Sequence, residues 1–133
     1  MPLVMLDTNI ASAVMRSPEG PLWDRLETFT PGDVCMSVVT SAELRFGIEK
    51  VGSVRLLRQF EMLLEVFAIL PFAVPSDETY ARIRADLERA GTPIGANDLL
   101  IAAHALSLDL TLVTANIREF SRVPNLRIEN WLD

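Results

Sequence analysis

Short apolar runs alternate with longer segments of helical periodicity along this chain of 133 residues. Neighbouring parallel strands need a crossover connection between them, and that connection is usually a helix. The alternation therefore predicts an α/β fold with a mainly parallel central sheet of four to five strands and helices on both faces of the sheet. The predicted strands are the apolar runs 2–6, 34–39, 68–73, 110–114 and 126–128.

Residues that favour helix starts and ends lie between these strands. Asp7, Thr8 and Asn9 can each cap a helix after the first strand, and Thr40 and Ser41 can cap a helix after the second. The predicted helices run from 8 to about 15, over 22–29, from 41 to about 50, from 54 to about 67, from 76 to about 91 and over 99–108. We expect the third and fourth of these helices to form a hairpin, and residues 116–120 to form a turn.

Length and composition predict one domain, residues 1–133, with a core of ordinary size. The longest apolar stretch, 99–108, is interrupted by His104 and Ser107 and is too short to span a membrane. The N-terminus lacks the basic region of a signal peptide, so a cytoplasmic location without a membrane partner is expected. The single cysteine, Cys35, lies in an apolar run, which predicts a buried, inert thiol.

The net charge of −6 argues against binding nucleic acid through a broad basic surface, because such binding depends on Lys and Arg neutralising phosphates. Lys50 is the only lysine, and the other basic residues are arginines. Most of these arginines are interpreted as helix-surface ion-pair partners, as in Arg82/Asp86 and Arg84/Glu88.

Three acidic residues follow predicted strands or begin predicted helices: Asp7, Glu43 and Asp98. Each alone is explained by helix capping or by the helix dipole. Together they are expected in one crevice, because an open α/β sheet collects such residues at the carboxyl ends of its strands. Crowded carboxylates repel one another, and a cation such as Mg²⁺, or Mn²⁺ in its place, would stabilise them.

Neutral polar residues accompany the acids and could orient ligands or water around an ion. They are Thr8, Asn9, Asn97, Thr114 and Asn116. A fourth acidic position is expected at the Asn116/Glu119 pair.

Other catalytic schemes fit the sequence less well. His104 lies in an apolar helix and is interpreted as structural, and no glycine-rich phosphate loop, GxSxG motif or Cys/His zinc spacing occurs. A receiver domain would need paired acids after the first strand, where Asp7 stands alone. A phosphatase with an aspartyl nucleophile would need Asp at position 9, which is Asn9.

Four segments resemble PIN-domain ribonucleases, specifically VapC-type toxins of toxin–antitoxin pairs. They are MLDTNI at 5–10, SVVTSAELRFGIEK at 37–50, IRADLERAGTPIGANDLLIAAHAL at 83–106 and LVTANIREFSRVPNLRIENW at 112–131. The resemblance implies a three-layer α/β/α PIN fold and Mg²⁺-dependent hydrolysis of RNA, tRNA included. It also implies a homodimer, a cognate VapB-type antitoxin and a toxin–antitoxin hetero-oligomer.

Carried onto this sequence, the resemblance makes Asp7, Glu43 and Asp98 the catalytic acids. Asp7 and Asp98 are expected to bind the metal directly, with Glu43 binding it through water or orienting the nucleophile. Asn116 stands where many members have Asp, so either Asn116 as a neutral ligand or Glu119 as a carboxylate completes the site.

Two further expectations concern partners. The helix pair from Glu43 to Phe67 is the expected wall of the antitoxin groove, although its apolar residues fit a plain core equally well.

The alternative to an enzyme is an inactive acidic α/β interaction module whose acids only cap helices. Carboxyl groups of Asp7, Glu43 and Asp98 close enough to share one ion favour the enzyme, and separate caps favour the module.

Overall fold

The computed structural model describes residues 2–132. Five strands form one sheet in which every neighbouring pair is parallel. They are β1 (Val4–Leu6), β2 (Val34–Ser37), β3 (Ala68–Leu70), β4 (Thr111–Val113) and β5 (Ile128–Glu129). The order across the sheet is β3-β2-β1-β4-β5, which confirms the predicted parallel sheet.

Helices connect the strands and cover the sheet. They are α1 (Thr8–Arg16), α2 (Pro21–Leu26), α3 (Val38–Val51), α4 (Val54–Leu64), α5 (Ser76–Arg89), α6 (Ala96–Ser107) and α7 (Ile117–Phe120). Gly52 ends α3 with φ 71°, a left-handed conformation that glycine adopts at little cost, and the chain then turns into α4 as the predicted hairpin requires. No helix within residues 2–132 combines the length and apolar content needed to cross a membrane.

The two faces of the sheet pack against different helices. Val4 and Leu6 of β1 belong to a core cluster with residues of α1 to α4, whereas Met5 between them belongs to a cluster with residues of α5 and α6. Alternate residues of a strand point to opposite faces, so burial of all three β1 residues requires helices on both sides. The chain therefore has the expected three-layer α/β/α architecture.

The boundary between β2 and α3 differs from the prediction. The second strand was predicted over 34–39, but it ends at Ser37, and Val38 and Val39 begin the helix. The Ser37 hydroxyl accepts a hydrogen bond from the Val39 N–H at 3.1 Å and so caps α3. Thr40 and Ser41, predicted as caps, are instead buried inside the helix.

Several other boundaries also move. The third strand stops at Leu70 rather than 73, because Pro71 has no N–H to donate to a ladder. The sixth helix begins at 96 rather than 99, and α2 and α4 end at 26 and 64 rather than 29 and 67. The predicted turn at 116–120 contains the short helix α7, and the last strand is 128–129 rather than 126–128.

Two single residues behave as predicted. Cys35 is buried, and burial raises the pKa of its thiol to about 12, so the thiol is inert. His104 is also buried: its Nδ1 lies 2.8 Å from the Ser37 hydroxyl, and its ring meets Phe72 edge-on. Burial lowers the pKa of His104, which suits a neutral structural histidine.

One of the two predicted helix-surface ion pairs forms. Arg84 and Glu88 pair at 3.1 Å, whereas Asp86 pairs with Arg89 at 3.1 Å instead of Arg82. The predicted Arg82/Asp86 pair was wrong, and Arg89 in the last turn of α5 takes the place of Arg82 as the partner of Asp86.

Candidate active site

An acidic cleft of about 220 Å³ opens at the carboxyl ends of β1 and β4. From β1 the sheet continues to β2 and β3 on one side and to β4 and β5 on the other, so the crevice lies where the chain order reverses. This position is where open α/β sheets place their binding sites. The cleft is lined by Asp7, Thr8, Asn9, Glu43, Asp98, Asn116 and Phe120.

Asp7 is positioned by β1 and caps the helix that follows. Its backbone N–H donates to the Val113 carbonyl at 3.0 Å, which continues the pairing of β1 with β4. Its Oδ1 accepts the Ile10 N–H at 2.9 Å. Burial raises the pKa of Asp7; hydrogen bonds from Thr114 and Ile10 oppose this shift, and the charge of Glu43 adds to it. Asp7 is thus a helix cap and a cleft residue at once.

Glu43 is held by neutral donors from two other helices. Its Oε1 accepts the Thr8 hydroxyl at 2.5 Å, and its Oε2 accepts the Asn97 amide at 3.2 Å. Because α3 begins at Val38, Glu43 lies in the second turn of the helix and not in the first turn as predicted. Thr8, Glu43 and Asn97 therefore join α1, α3 and α6 at the cleft.

Asp98 lies in the first turn of α6 and is the most perturbed acid of the cleft. Its pKa is raised to about 7, first by burial, next by the charge of Glu119 and a hydrogen bond between the two carboxyl groups, and then by Asp7 and Glu43. Negative charge from all three other acids therefore reaches Asp98, as expected for carboxylates gathered in one place.

Glu119 at the rim is engaged by two neutral donors. Its Oε1 accepts the Gly95 N–H at 2.8 Å and its Oε2 accepts the Asn116 side-chain amide at 2.7 Å. The Asn116 backbone N–H in turn donates to the Thr114 hydroxyl at 2.9 Å. Among the ion pairs of residues 2–132, none joins Glu119 to Arg118 or Arg122.

Sequence reasoning missed two residues that shape the cleft. Phe120 lines it but was predicted only as the end of a turn. Gly95 lies beside two of the acids: a Cβ at this position would stand 3.5 Å from Glu119 Oε1 and 3.7 Å from Asp98 Oδ2. The glycine immediately before the start of α6 was the available clue, because helix N-termini attract carboxylates.

The donor set suits a hard divalent cation. The polar side chains lining the cleft are carboxylates, amides and a hydroxyl, whose oxygens are the ligands of Mg²⁺ and Mn²⁺. Within residues 2–132, however, no three acidic, histidine or cysteine side chains are arranged to hold one metal ion as they stand. Glu43 and Glu119 each already accept two hydrogen bonds, so binding an ion requires these bonds to be exchanged for metal contacts.

A groove of about 150 Å³ continues from the acidic cleft between α1 and the α3–α4 hairpin. Thr8, Asn9 and Glu43 line both the groove and the cleft. Leu44, Ile48 and Leu56 supply apolar contacts along the groove. The hairpin predicted as a groove wall therefore lines an opening that leads directly to the acids.

Comparison with known proteins adds evidence independent of this geometry. The PIN domain family pattern matches residues 4–126. The chain is 37% identical over 134 aligned residues to ribonuclease VapC2 of Rickettsia felis, covering 97% of this chain and 98% of that protein. It is also 37% identical to the tRNA(fMet)-specific endonuclease VapC of Salmonella typhimurium, covering 96% of each chain.

Solved structures agree. The fold is similar to that of a chain in the crystal structure of VapBC2 from Rickettsia felis bound to a promoter DNA fragment, with a TM-score of 0.89, 35% identity and coverage of 97% of this chain and 98% of that chain. It is similar as well to a chain of DNA-bound VapBC from Salmonella typhimurium, with a TM-score of 0.88, 35% identity and coverage of 98% and 99%.

Proposed function

Because the chain belongs to the PIN domain family, we propose that it is an Mg²⁺-dependent endoribonuclease that hydrolyses RNA phosphodiester bonds and acts as the toxin of a toxin–antitoxin pair. The observation that carries this proposal is the meeting of Asp7, Glu43 and Asp98 in one cleft at the β1/β4 switch point. The proposed enzyme is a single PIN domain over residues 1–133 that acts in the cytoplasm. Its substrate class is RNA, tRNA included, as the name of the Salmonella relative indicates for that protein.

Each cleft residue has a proposed task. Asp7 and Asp98 hold the ion, and Glu43 orients the attacking water with the help of Thr8 and Asn97, which already donate to it. Bound Mg²⁺ or Mn²⁺ supplies an activated water and neutralises charge on the phosphoryl oxygens. Asn116 offers a neutral oxygen in the cleft, Glu119 adds charge beside Asp98, and Asn9 and Thr114 orient their neighbours.

The ionisation of Asp98 links this chemistry to pH. A carboxyl whose pKa is raised to about 7 is partly protonated near neutrality and binds a cation only after it loses that proton. Metal binding and cleavage should therefore strengthen as pH rises through 7.

The proposed partners are a VapB-type antitoxin and a second copy of the chain. The solved relatives are VapBC complexes. The groove between α1 and the α3–α4 hairpin leads to Glu43, so an antitoxin segment lying in it would cover the acids. We propose that the chain forms a homodimer and that the antitoxin binds this groove to give a toxin–antitoxin hetero-oligomer.

The runner-up is an inactive acidic interaction module. It draws support from Asp7, which caps α1 as an ordinary helix-capping residue does, and from the lack of a ready three-acid metal arrangement within residues 2–132. The two functions differ in whether the cleft turns over RNA.

The Asp7→Asn variant tests the enzyme. Asn also caps helices well, and removing a buried charge relieves repulsion, so we expect the fold to be kept or slightly stabilised and cleavage to be lost. Purified protein is incubated with total cellular RNA and Mg²⁺, and the new RNA ends are sequenced. Asp77→Asn, which removes an exposed charge from the first turn of α5, is the matched control.

Three results decide between the functions. Cleavage by wild type and Asp77→Asn but not by Asp7→Asn supports the proposal, and chelation should stop it. Mn²⁺ should also raise the melting temperature of wild type, because it binds the native state. Undiminished cleavage by folded Asp7→Asn contradicts the assigned site. An inert wild type whose melting temperature ignores Mn²⁺ supports the module.

A further inference from the structure

Residues 90–95 join the end of α5 to the start of α6, and the last three of them, the loop 93–95, lead directly into the turn that holds Asp98. Two hydrogen bonds tie this loop to α7 and the residues just after it. The Arg122 Nη1 donates to the Pro93 carbonyl at 2.9 Å, and the Gly95 N–H donates to Glu119 Oε1 at 2.8 Å. The loop is therefore attached at both ends to the segment 119–122.

Few other contacts fix the loop. Pro93 and Gly95 are exposed, and only Ile94 between them packs partly against the core. Gly95 is the cap residue of α6 and has no side chain with which to cap it. The bonds from Glu119 and Arg122 are therefore the side-chain contacts that fix the backbone of Gly95 and Pro93 just before α6.

Within the part of the chain that the structure describes, the Arg122 side chain contacts the backbone of the loop and not an acid. Arg122 is three residues after Glu119 and brings a positive charge to the Pro93 carbonyl. Among the ion pairs of residues 2–132, none involves Arg122, so its observed partner is this carbonyl rather than a carboxylate.

We infer that Arg122 is a positioning residue for the acidic cleft: its guanidinium holds the Pro93 carbonyl and thereby keeps Asp98 facing Asp7 and Glu43. Arg122 does not line the cleft, so it acts through the loop. The functional part of this inference rests on the proposed ribonuclease activity. The structural part, that Arg122 restrains the loop, stands without it.

Another exposed arginine provides a matched control. Arg127 donates through Nη2 to the Asp109 carbonyl at 2.7 Å and through Nη1 to the Asp109 carboxylate at 2.8 Å. It holds a loop as Arg122 does, but that loop precedes β4 at the other end of the sheet. Arg127→Met therefore removes a similar contact without reaching the cleft.

The first measurement is amide hydrogen exchange of the full chain without metal or RNA. In Arg122→Met, we expect amides 94–98 to exchange about tenfold faster or more, because the loop opens locally. Arg122→Lys keeps a donor that can reach the Pro93 carbonyl and should restore most of the protection. Arg127→Met should leave amides 94–98 unchanged.

The second measurement is RNA cleavage under saturating Mg²⁺. A misplaced Asp98 lowers turnover, so Arg122→Met should lose about 10- to 100-fold in kcat, as for other residues that orient metal ligands, with KM for RNA within about twofold of wild type. Arg122→Lys should recover much of kcat. Mn²⁺ binding, followed by calorimetry, should weaken in Arg122→Met and not in Arg127→Met.

Results that contradict this inference can be told apart from results that contradict the proposed function. Unchanged exchange at 94–98 in Arg122→Met overturns the inference, whatever the activity. A raised KM with unchanged kcat overturns it too, because the guanidinium then contacts RNA instead of positioning Asp98. If wild type cleaves no RNA, the proposed function fails, while the exchange and Mn²⁺ data still decide whether Arg122 positions the loop.

Discussion

At Asp98, burial and neighbouring charge act in the same direction. The pKa of this carboxyl rises from 3.8 to about 7, so the folded protein binds more protons than the unfolded chain between those pH values. The free energy of unfolding must then fall as pH rises through this window and level off above it. Full conversion of the shift would give roughly 4 kcal/mol, but solvent screening at a half-exposed group reduces this to about 1–2 kcal/mol.

We therefore predict that ionisation of Asp98 lowers the melting temperature of the metal-free wild type by about 2–6 °C between pH 5 and pH 8. The Asp98→Asn variant should lose most of this difference. Melting curves of both proteins across pH in a chelating buffer provide the measurement. Mn²⁺ should restore the stability of wild type at pH 8, because it offsets the carboxylate charge. Identical pH dependence in the two proteins would refute the assignment.

Glu119 and Asn116 compete for the fourth acidic position, and their contacts separate them. Glu119 accepts from both Gly95 and Asn116, and a Gln there has only one acceptor oxygen and directs an amide at a donor. Asn116→Ala loses one hydrogen bond and a neutral oxygen. We predict that Glu119→Gln lowers cleavage roughly tenfold or more and that Asn116→Ala lowers it less.

Turnover of these two variants and Asn116→Asp on one RNA across a Mg²⁺ titration tests this order. Asn116→Asp supplies the ligand commoner in the family and should keep or raise activity at high Mg²⁺. Its added charge beside Glu119 should make the dependence on Mg²⁺ steeper. Wild-type turnover in Glu119→Gln together with an inactive Asn116→Ala would reverse the assignment.

The sequence predicts which residues line the cleft, but it does not predict the hydrogen bonds between them. Asp7 and Asp98 were predictable because each directly follows a strand or starts a helix, and a parallel sheet brings such places together. The partners of Glu119 were not predictable, since Gly95 lies 24 residues away in sequence and only the packing of α7 brings them together.

Helix α3 contributes to both the cleft and the groove. Its start sets the position of Glu43 in the cleft, and its inner side lines the groove. Gly47 lies at this side, one turn after Glu43, and no atom beyond its chain neighbours and its own helix backbone lies within 4 Å of the place where a Cβ would stand. Glycine inside a helix costs about 0.5–1 kcal/mol relative to alanine. A small residue at position 47 leaves this part of the groove open.

We predict that Gly47→Leu weakens inhibition by the cognate antitoxin at least about tenfold, because the added side chain projects into the groove. Inhibition of RNA cleavage by increasing antitoxin concentrations measures the effect. Gly47→Ala is the control, since its methyl group fits the open space and should leave inhibition unchanged while stabilising the helix. An antitoxin equally effective against Gly47→Leu would place its segment elsewhere.

The mispredicted starts of α3 and α6 share a physical cause. At the end of β2, the apolar pair Val38 and Val39 fits a strand by composition, but the Ser37 cap starts the helix earlier. At α6, the polar pair Asn97 and Asp98 would suit a loop, yet the Gly95 carbonyl accepts the Leu99 N–H at 2.8 Å and the helix begins at Ala96. Periodicity predicts that an element exists, whereas local capping bonds decide where it begins.

At the scale of the whole molecule, the net charge of −6 and the acidic cleft both repel RNA. A broad basic surface cannot supply the affinity, so cations at the cleft and local arginines must offset the repulsion. Cleavage should therefore respond more strongly to divalent cations than to the general screening that monovalent salt provides. A second copy of the chain would extend the surface available to a folded RNA, which makes self-association the next property to test.

Phe46 is the candidate contact between copies. It is 68% exposed on α3, and at about 100° per residue it lies roughly 130° around the helix from the groove side formed by Glu43, Leu44, Gly47 and Ile48. Burying a phenylalanine contributes about 1.5–3 kcal/mol, and a twofold dimer buries it twice.

We predict that the wild type has the mass of two 14.8 kDa chains in solution and that Phe46→Glu dissociates it, with a dimer Kd raised about 100-fold or more. Light scattering after size exclusion measures the mass. Val74→Glu is the matched control, because Val74 is 81% exposed in the segment after β3 and a charge there should leave the dimer intact. A Phe46→Glu protein that remains dimeric, or a monomeric wild type, would contradict this interface. Antitoxin inhibition should persist in Phe46→Glu, because the groove lies on another side of α3.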